Sequence, residues 1–355
     1  MIRVFVVDDS AFVRKAIRRV LSADPGVTVV GEAASGPDAL ARIPALEPQV
    51  VTLDYEMQGL NGLDVLRQLL AWRPSLKVIM LSAHTQNGAE ATMEALAAGA
   101  ADFIDKQSLN LMDLDRLGRE LGERIHSLGE LPVASRVRPA RPSAPIVPAG
   151  TLDPAELVVI GASTGGPAAL QRLLEGLPRD FPAPIAIVQH MPPGFTKPFA
   201  TRLDGLCRLS VKEAVDGERL EPGQVRIAPA GLHLHLSGSL ATGLSTEPRV
   251  ARHTPSVDVL FGSAARARPG RALGILLTGM GEDGAQGLSL IHAQGGITIA
   301  ESEETCAVYG MPRAAVERGA VKYVLPLPAI AELLSGWTAR PVGRGGAAAP
   351  PAKRG

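Results

Sequence analysis

The chain has 355 residues, 46% of them hydrophobic, and its 36 Lys and Arg residues balance its 36 Asp and Glu residues. This length exceeds what one hydrophobic core usually holds, so we expect two domains. The balanced charge argues against nucleic acid as a partner, and two cysteines are too few for a disulfide framework or a cysteine metal site. No apolar stretch approaches the roughly 20 residues that span a bilayer, so we expect a cytoplasmic protein without membrane insertion.

Residues 1–126 alternate short apolar runs with amphipathic helical patterns; the runs are IRVFVV, VTVVGEA, QVVTLD, KVIMLSA and ADFID. This alternation predicts a doubly wound α/β domain with a parallel sheet. The first helix has apolar residues at helical spacing, with arginine and lysine between them. We therefore predict a core-facing side made of Phe12, Val13, Ala16, Ile17, Val20 and Leu21.

Carboxylates lie at the ends of two of these runs, with Asp8 and Asp9 directly after the first and Asp54 as the last residue of the third. Ligands of open parallel sheets bind outside the carboxyl ends of the strands, so the three side chains are expected to converge there. Converging carboxylates repel one another unless a cation neutralises them, and oxygen ligands suit Mg²⁺. Ser82 and Lys106 follow the last two runs, where they would suit the oxygens of a phosphoryl group on one aspartate. Each acid taken alone is better explained as a helix-start or turn residue, whereas five such residues on four strand ends favour a shared site.

The segments VVDDS, TLDYEM, MLSA and DFIDK together resemble the receiver domains of response regulators, which have a flavodoxin-like fold. The resemblance implies that Asp54 accepts a phosphoryl group from a histidine kinase. It further implies that Asp8 and Asp9 bind Mg²⁺ with Asp54, and that Ser82 and Lys106 sense the phosphate. Phe103 would take the position of the switch aromatic residue. One departure is Gln107, where family members commonly have proline.

Residues 127–152 lack hydrophobic periodicity and are rich in Pro, Arg, Ala and Ser. This composition is typical of a flexible linker. The tail, residues 339–355, has low complexity and is predicted to be disordered.

Residues 153–338 contain a second alternating series, with predicted strands at LVVIG, PIAIVQ, VRIAPA, LGILLTG, GITIA and KYVLP. This pattern predicts a second α/β domain, Rossmann-like and with a mainly parallel sheet. The segment LHLHL…ATGLS instead indicates a hairpin.

The turn GASTGG follows the first of these strands and has two physically sound interpretations. Gly161, Ser163 and Gly165 match G-x-S-x-G, in which a sharp turn exposes a nucleophilic serine. The same turn could bind a phosphate at a helix N-terminus. His190 and Asp283 follow two other strands and could supply the base and its orienting acceptor, which favours a Ser163–His190–Asp283 triad.

Four segments in order, GASTGGP, VQHMP, TPSVDVLF and LLTGMGEDGA, resemble the catalytic domain of chemotaxis response-regulator protein-glutamate methylesterases. The resemblance implies a serine hydrolase acting on glutamate methyl esters of chemoreceptor helices, with deamidation of receptor glutamines. It assigns the amide of Met280 to the oxyanion, with a turn amide near Thr164 as the second donor. Because a phosphorylatable domain is joined to an esterase by a loose linker, we further expect the unmodified receiver to dock over the cleft and block the substrate. Two other outputs remain open at this stage, a DNA-binding domain and a non-catalytic phosphate- or nucleotide-binding domain.

Overall fold

The computed structural model describes residues 1–82, 86–106, 114–129, 155–248 and 253–337. The predicted linker and tail lie outside these residues, apart from 127–129. The elements of the first domain, in chain order, are β1 (Ile2–Val7), α1 (Ala11–Ser22), β2 (Val27–Ala33), α2 (Gly36–Leu46), β3 (Val50–Asp54), α3 (Gly62–Trp72), β4 (Lys77–Ser82), α4 (Gln86–Ala97), β5 (Asp102–Asp105) and α5 (Leu114–Gly129).

The five strands of the first domain form one parallel sheet in the order β2-β1-β3-β4-β5. Side chains of α1 and α5 pack on one face, among them Ile17, Leu21 and Leu121. Those of α2, α3 and α4 pack on the other, among them Ile43 and Leu66. The predicted doubly wound architecture is confirmed.

The second domain contains the remaining elements. They are β6 (Leu157–Ala162), α6 (Gly166–Glu175), β7 (Ile185–Gln189), α7 (Thr196–Leu206), β8 (Ser210–Glu213), β9 (Gln224–Ile227), β10 (His233–Leu236), β11 (Thr242–Ser245), α8 (Val257–Ala267), β12 (Ala272–Leu276), α9 (Ala285–Ala293), β13 (Ile297–Glu301), α10 (Met311–Glu317), β14 (Tyr323–Leu325) and α11 (Leu327–Ser335).

Seven of these strands form a parallel sheet in the order β14-β13-β12-β6-β7-β9-β8. Residues of α8, α9 and α10 cover one face, and residues of α6, α7 and α11 cover the other. β10 and β11 form the predicted antiparallel hairpin. β8 was not predicted, because this short edge strand has only one buried residue, Val211, and so shows no apolar run.

The predicted inner face of α1 is wrong at Phe12, which is 62% exposed, whereas Ala16, Ile17 and Leu21 are buried. At 3.6 residues per turn, Phe12 lies about 140° around the helix from Ile17. Phe12, which is apolar but lies at the edge of the helical pattern, therefore points away from the sheet.

The two domains pack directly against each other. The Phe103 ring of β5 and the Phe195 ring, just before α7, lie 4.7 Å apart between centroids. Because α4 also contacts α6 and α7, one buried apolar cluster runs through both domains. Among the residues described, no helix combines the length and the apolarity needed to cross a bilayer.

Candidate functional site

Ser163 lies in the turn between β6, which ends at Ala162, and α6, which begins at Gly166. Its carbonyl accepts hydrogen bonds from the Gly166 amide (2.8 Å) and the Gln189 side chain (2.9 Å). Gly165 has a φ of +78°, and a Cβ added there would lie 2.3 Å from the Ala307 side chain. The sharp turn that exposes Ser163 therefore requires glycine.

His190 and Asp283 follow the two strands that flank β6. β7 ends at Gln189 and lies on one side of β6, and β12 ends at Leu276 and lies on the other. The chain therefore reverses its winding direction at β6, the place where open α/β sheets bind ligands. The His190 amide also donates to the Ala162 carbonyl (3.1 Å), which brings this residue beside the serine turn.

The His190 and Asp283 side chains are joined by a hydrogen bond, with 2.8 Å between Nε2 and Oδ2. Asp283 accepts three further bonds, from the amides of Val257 and Asp258 and from the Ser256 hydroxyl. These donors form the N-terminus of α8, where the helix dipole favours a negative charge.

Burial acts to raise the pKa of Asp283. The hydrogen bond from His190, the charge of that imidazole and the amides of Val257 and Asp258 outweigh burial and hold this pKa well below its ordinary value. An ionised carboxylate only accepts hydrogen bonds, so the proton must be on Nε2 of His190. Nδ1 is then the nitrogen that can act as a base.

The Ser163 hydroxyl has no hydrogen bond to His190 in this structure, nor to any other residue within the described ranges. A serine hydroxyl rotates about one bond, and nucleophile–base contacts are often open before substrate binds. The His190 ring also stacks on His253, with 4.4 Å between ring centroids.

The segment after β12 lies against Ser163. A Cβ added to Gly279 would meet the Ser163 Cβ at 2.8 Å, so only glycine permits this approach. Among the described residues, the amides of Met280 and Thr164 donate no hydrogen bond. The N–H group of each of these two amides is therefore available to donate a hydrogen bond beside Ser163.

The serine turn also touches the first domain. The Thr164 hydroxyl donates to Oδ2 of Asp102 at 2.8 Å, and the Arg124 guanidinium donates to the same oxygen at 3.2 Å. Next to this contact, a cleft of about 1560 Å³ separates α1 and α5 from α8 and α9. Its second-domain wall includes His253, Met280 and Asp283.

The acidic residues of the first domain meet at the carboxyl edge of its sheet. Carboxylate oxygens of Asp8, Asp9 and Asp54 all lie within 4.8 Å of one another. The Lys106 ammonium contacts Asp54 at 2.7 Å and Asp8 at 3.0 Å. Burial raises the pKa of Asp54 to about 6, with a contribution from Asp8, and Lys106 opposes the rise. Three carboxylates facing one ammonium group form a donor set that fits Mg²⁺.

Ser82 ends β4 and pairs in register with Asp105 of β5. Its hydroxyl donates to the Gly88 carbonyl of α4 at 3.0 Å, and its carbonyl accepts from the Lys106 amide. The side chain thus lies at the predicted edge but is directed to α4. The departure noted at Gln107 falls outside the described residues.

Three residues that contact the serine turn or Asp283 were missed as functional candidates or assigned another role. Asp102 was treated only as part of a strand, and Ser256 was quoted only as part of a motif, although its hydroxyl donates to Asp283. Thr278 was quoted only as part of a motif, and its carbonyl accepts the Ser163 amide at 3.0 Å. The one available signal for Thr278 was its position directly after an apolar strand.

Comparisons with known proteins give matches to both domains. The family model described as CheB methylesterase matches residues 158–334, and the response regulator receiver domain matches residues 4–116. A protein-glutamate methylesterase/protein-glutamine glutaminase of Symbiobacterium thermophilum is 44% identical, over 97% of this chain and 98% of that protein. A second, from Oleidesulfovibrio alaskensis, is 43% identical over 94% and 98%.

A solved structure, the CheB methylesterase catalytic domain of Thermotoga maritima, is 46% identical to this chain. The match covers 51% of this chain and 97% of the Thermotoga maritima chain, with a TM-score of 0.50.

Proposed function

Because this chain belongs to the CheB methylesterase family and carries a response regulator receiver domain, we propose that it hydrolyses γ-methyl esters of glutamate on chemoreceptor cytoplasmic helices. The products are methanol and the free glutamate side chain. Deamidation of receptor glutamines would use the same site and release ammonia. The observation that carries the proposal is the hydrogen bond between His190 and Asp283 at the sheet edge that also holds Ser163.

In the proposed reaction, the Ser163 hydroxyl attacks the ester carbonyl while Nδ1 of His190 takes its proton. The resulting imidazolium gives that proton to the departing methoxide, which leaves as methanol. Water then attacks the glutamyl-serine ester, again losing a proton to His190, and Ser163 is restored. Asp283 keeps the imidazole in one tautomer and stabilises its charged form. The amides of Met280 and Thr164 are proposed to stabilise the oxyanion, since both have an unused donor.

Asp54 is the proposed phosphoryl acceptor, with a histidine kinase as donor. Asp8, Asp9 and Asp54 would hold Mg²⁺, which supplies positive charge to the phosphoryl oxygens. Ser82 and Lys106 are proposed to contact the same oxygens. The position of Asp102 and Phe103 against the second domain supports regulation through this interface, in which the unphosphorylated receiver restricts access to the serine turn and phosphorylation favours its release.

The domain boundaries belong to the same proposal, with a receiver over 1–126, a linker over 127–152, an esterase domain over 153–338 and a disordered tail over 339–355. α5 ends at Gly129, so the helix extends a few residues beyond the first boundary. We also propose a cytoplasmic location, without nucleic acid partners or membrane insertion. A non-catalytic phosphate-binding output is not favoured, because the family matched by the second domain is one of methylesterases.

The test is methanol release from membranes that contain methylated chemoreceptors, measured with and without a small-molecule phosphodonor. We expect release by the full chain, an increase with the phosphodonor, and almost none from Ser163→Ala. Release by Ser163→Ala at the wild-type rate, or no release by the wild-type chain under either condition, would contradict the proposal.

A further inference from the structure

Glu301 has a buried carboxyl group that is linked to the serine turn through one intervening residue, Thr278. This carboxyl group has no part in the reaction described above. Glu301 is the last residue of β13 and its side chain is fully buried. Its Oε2 accepts a hydrogen bond from the Thr278 amide at 2.8 Å. Its Oε1 accepts one from the Thr305 hydroxyl at 2.9 Å. Both oxygens therefore serve as acceptors for uncharged donors.

Thr278 connects this carboxyl group to the nucleophile. Its carbonyl accepts the Ser163 amide at 3.0 Å, and its hydroxyl donates to the Thr164 carbonyl at 2.9 Å. The same hydroxyl accepts a bond from the Val308 amide at 2.9 Å. The turn that carries Ser163 is thus held at two consecutive residues by Thr278, and Thr278 is held from behind by Glu301.

The Thr278 amide is the donor that depends on Glu301. Deep in the protein an amide without an acceptor costs free energy, and nearby segments shift to satisfy it. A shift of Thr278 would move the Ser163 amide, the Thr164 carbonyl and the adjoining Gly279–Met280 segment together. Burial raises the pKa of the Glu301 carboxyl above its ordinary value, although its hydrogen bonds oppose the rise. The geometry requires an acceptor oxygen at this place and makes no use of a full negative charge.

We infer that Glu301 is a positioning residue for the esterase reaction, holding Thr278 so that Ser163 and the Met280 amide keep the reactive arrangement. The inference rests on the proposed function, since it takes Ser163 as the nucleophile. Glu301 contacts neither the cleft nor the substrate, so its loss should lower kcat and leave KM nearly unchanged.

Two substitutions of Glu301 in the full chain distinguish the effect of side-chain length from the effect of side-chain charge. Glu301→Gln keeps the side-chain length and a carbonyl acceptor but removes the charge, and the Thr305 hydroxyl can rotate to accept from the new amide. Glu301→Asp keeps the charge but shortens the side chain by one methylene. We expect Glu301→Gln to retain a kcat close to that of the wild type. We expect Glu301→Asp to lower kcat by about 10- to 100-fold, since misplacement of a group by about 1 Å can cost 10²-fold in rate.

Thr298→Ala is the matched control. Thr298 is also fully buried on β13, and its hydroxyl accepts the Lys322 amide at 2.9 Å, but it makes no contact with the serine turn. It should lose thermal stability to a similar extent while keeping the wild-type kcat. Methanol release and melting temperature are measured for all three variants and the wild type.

Wild-type kcat in a folded Glu301→Asp, or a loss in Thr298→Ala equal to that in Glu301→Asp, would overturn the inference. A loss in Glu301→Gln with activity retained in Glu301→Asp would overturn it too, because charge would then matter more than reach. Absence of methanol release from the wild type would remove the proposed function itself, and the inference with it.

Discussion

Asp54 and Asp283 both lie at the carboxyl edge of a parallel sheet, yet their pKa values move in opposite directions. Asp54 is the last residue of β3, and Asp283 lies in the turn between β12 and α9. Both side chains are largely buried, and each lies within 2.8 Å of a nitrogen that can carry a positive charge. Burial raises the pKa of Asp54 to about 6. The pKa of Asp283 is lowered in spite of burial.

The difference comes from the other neighbours of each carboxylate. Asp54 accepts one backbone amide, from Glu56 at 3.2 Å, and faces a second carboxylate, Asp8. Asp283 accepts two amides and a hydroxyl at the start of α8, in addition to His190. The chain therefore supplies several hydrogen-bond donors to Asp283, whereas around Asp54 three carboxylates face a single ammonium group, that of Lys106.

The largest effect is expected from a substitution of Asp283. Asp283→Asn should lower kcat for methanol release by about 10⁴-fold, because an amide can favour the wrong imidazole tautomer. Binding of receptor membranes should survive, since the cleft walls remain. The double variant with Ser163→Ala should be hardly worse than Ser163→Ala alone. A folded Asp283→Asn with wild-type turnover would contradict the assigned role.

The second largest effect is expected from a substitution of Asp54, the proposed phosphoryl acceptor and Mg²⁺ ligand. Asp54→Asn should abolish phosphoryl incorporation from a small-molecule phosphodonor and the resulting stimulation, while basal methanol release stays measurable. A chelator added to the wild-type chain should reproduce both results, because the proposed Mg²⁺ serves only the first domain. Undiminished phosphoryl incorporation by Asp54→Asn would place the acceptor elsewhere.

The smallest effect concerns the contact that joins the two regions. Thr164→Val keeps the backbone amide and the shape of the side chain but removes the hydrogen bond to Asp102. A hydrogen bond to a charged group is worth about 1.5–3 kcal/mol, part of which Asp102 recovers from Arg124. We therefore expect basal turnover without phosphodonor to rise several-fold in Thr164→Val and to stay at the wild-type level in Thr164→Ser. Equal basal rates in the two variants would show that this bond does not hold the receiver in place.

The alternating apolar runs predicted both sheets and most of their strands, because the periods of strands and helices are local properties of the chain. Prediction failed where burial depends on neighbours. Phe12 matched the helical pattern but is exposed, and β8 has too few buried residues to be recognised.

For the sites, the sequence by itself predicted that Ser163, His190 and the acids around Asp54 lie where strands end, and that Asp283 lies in a turn after another strand. Only the tertiary structure decided that β6 lies between β7 and β12, that Asp283 engages Nε2 of His190, and that Asp102 and Glu301 contact the serine turn and its support. These contacts join residues far apart along the chain. Strand order and domain packing create them, and neither leaves a periodic signal in the sequence.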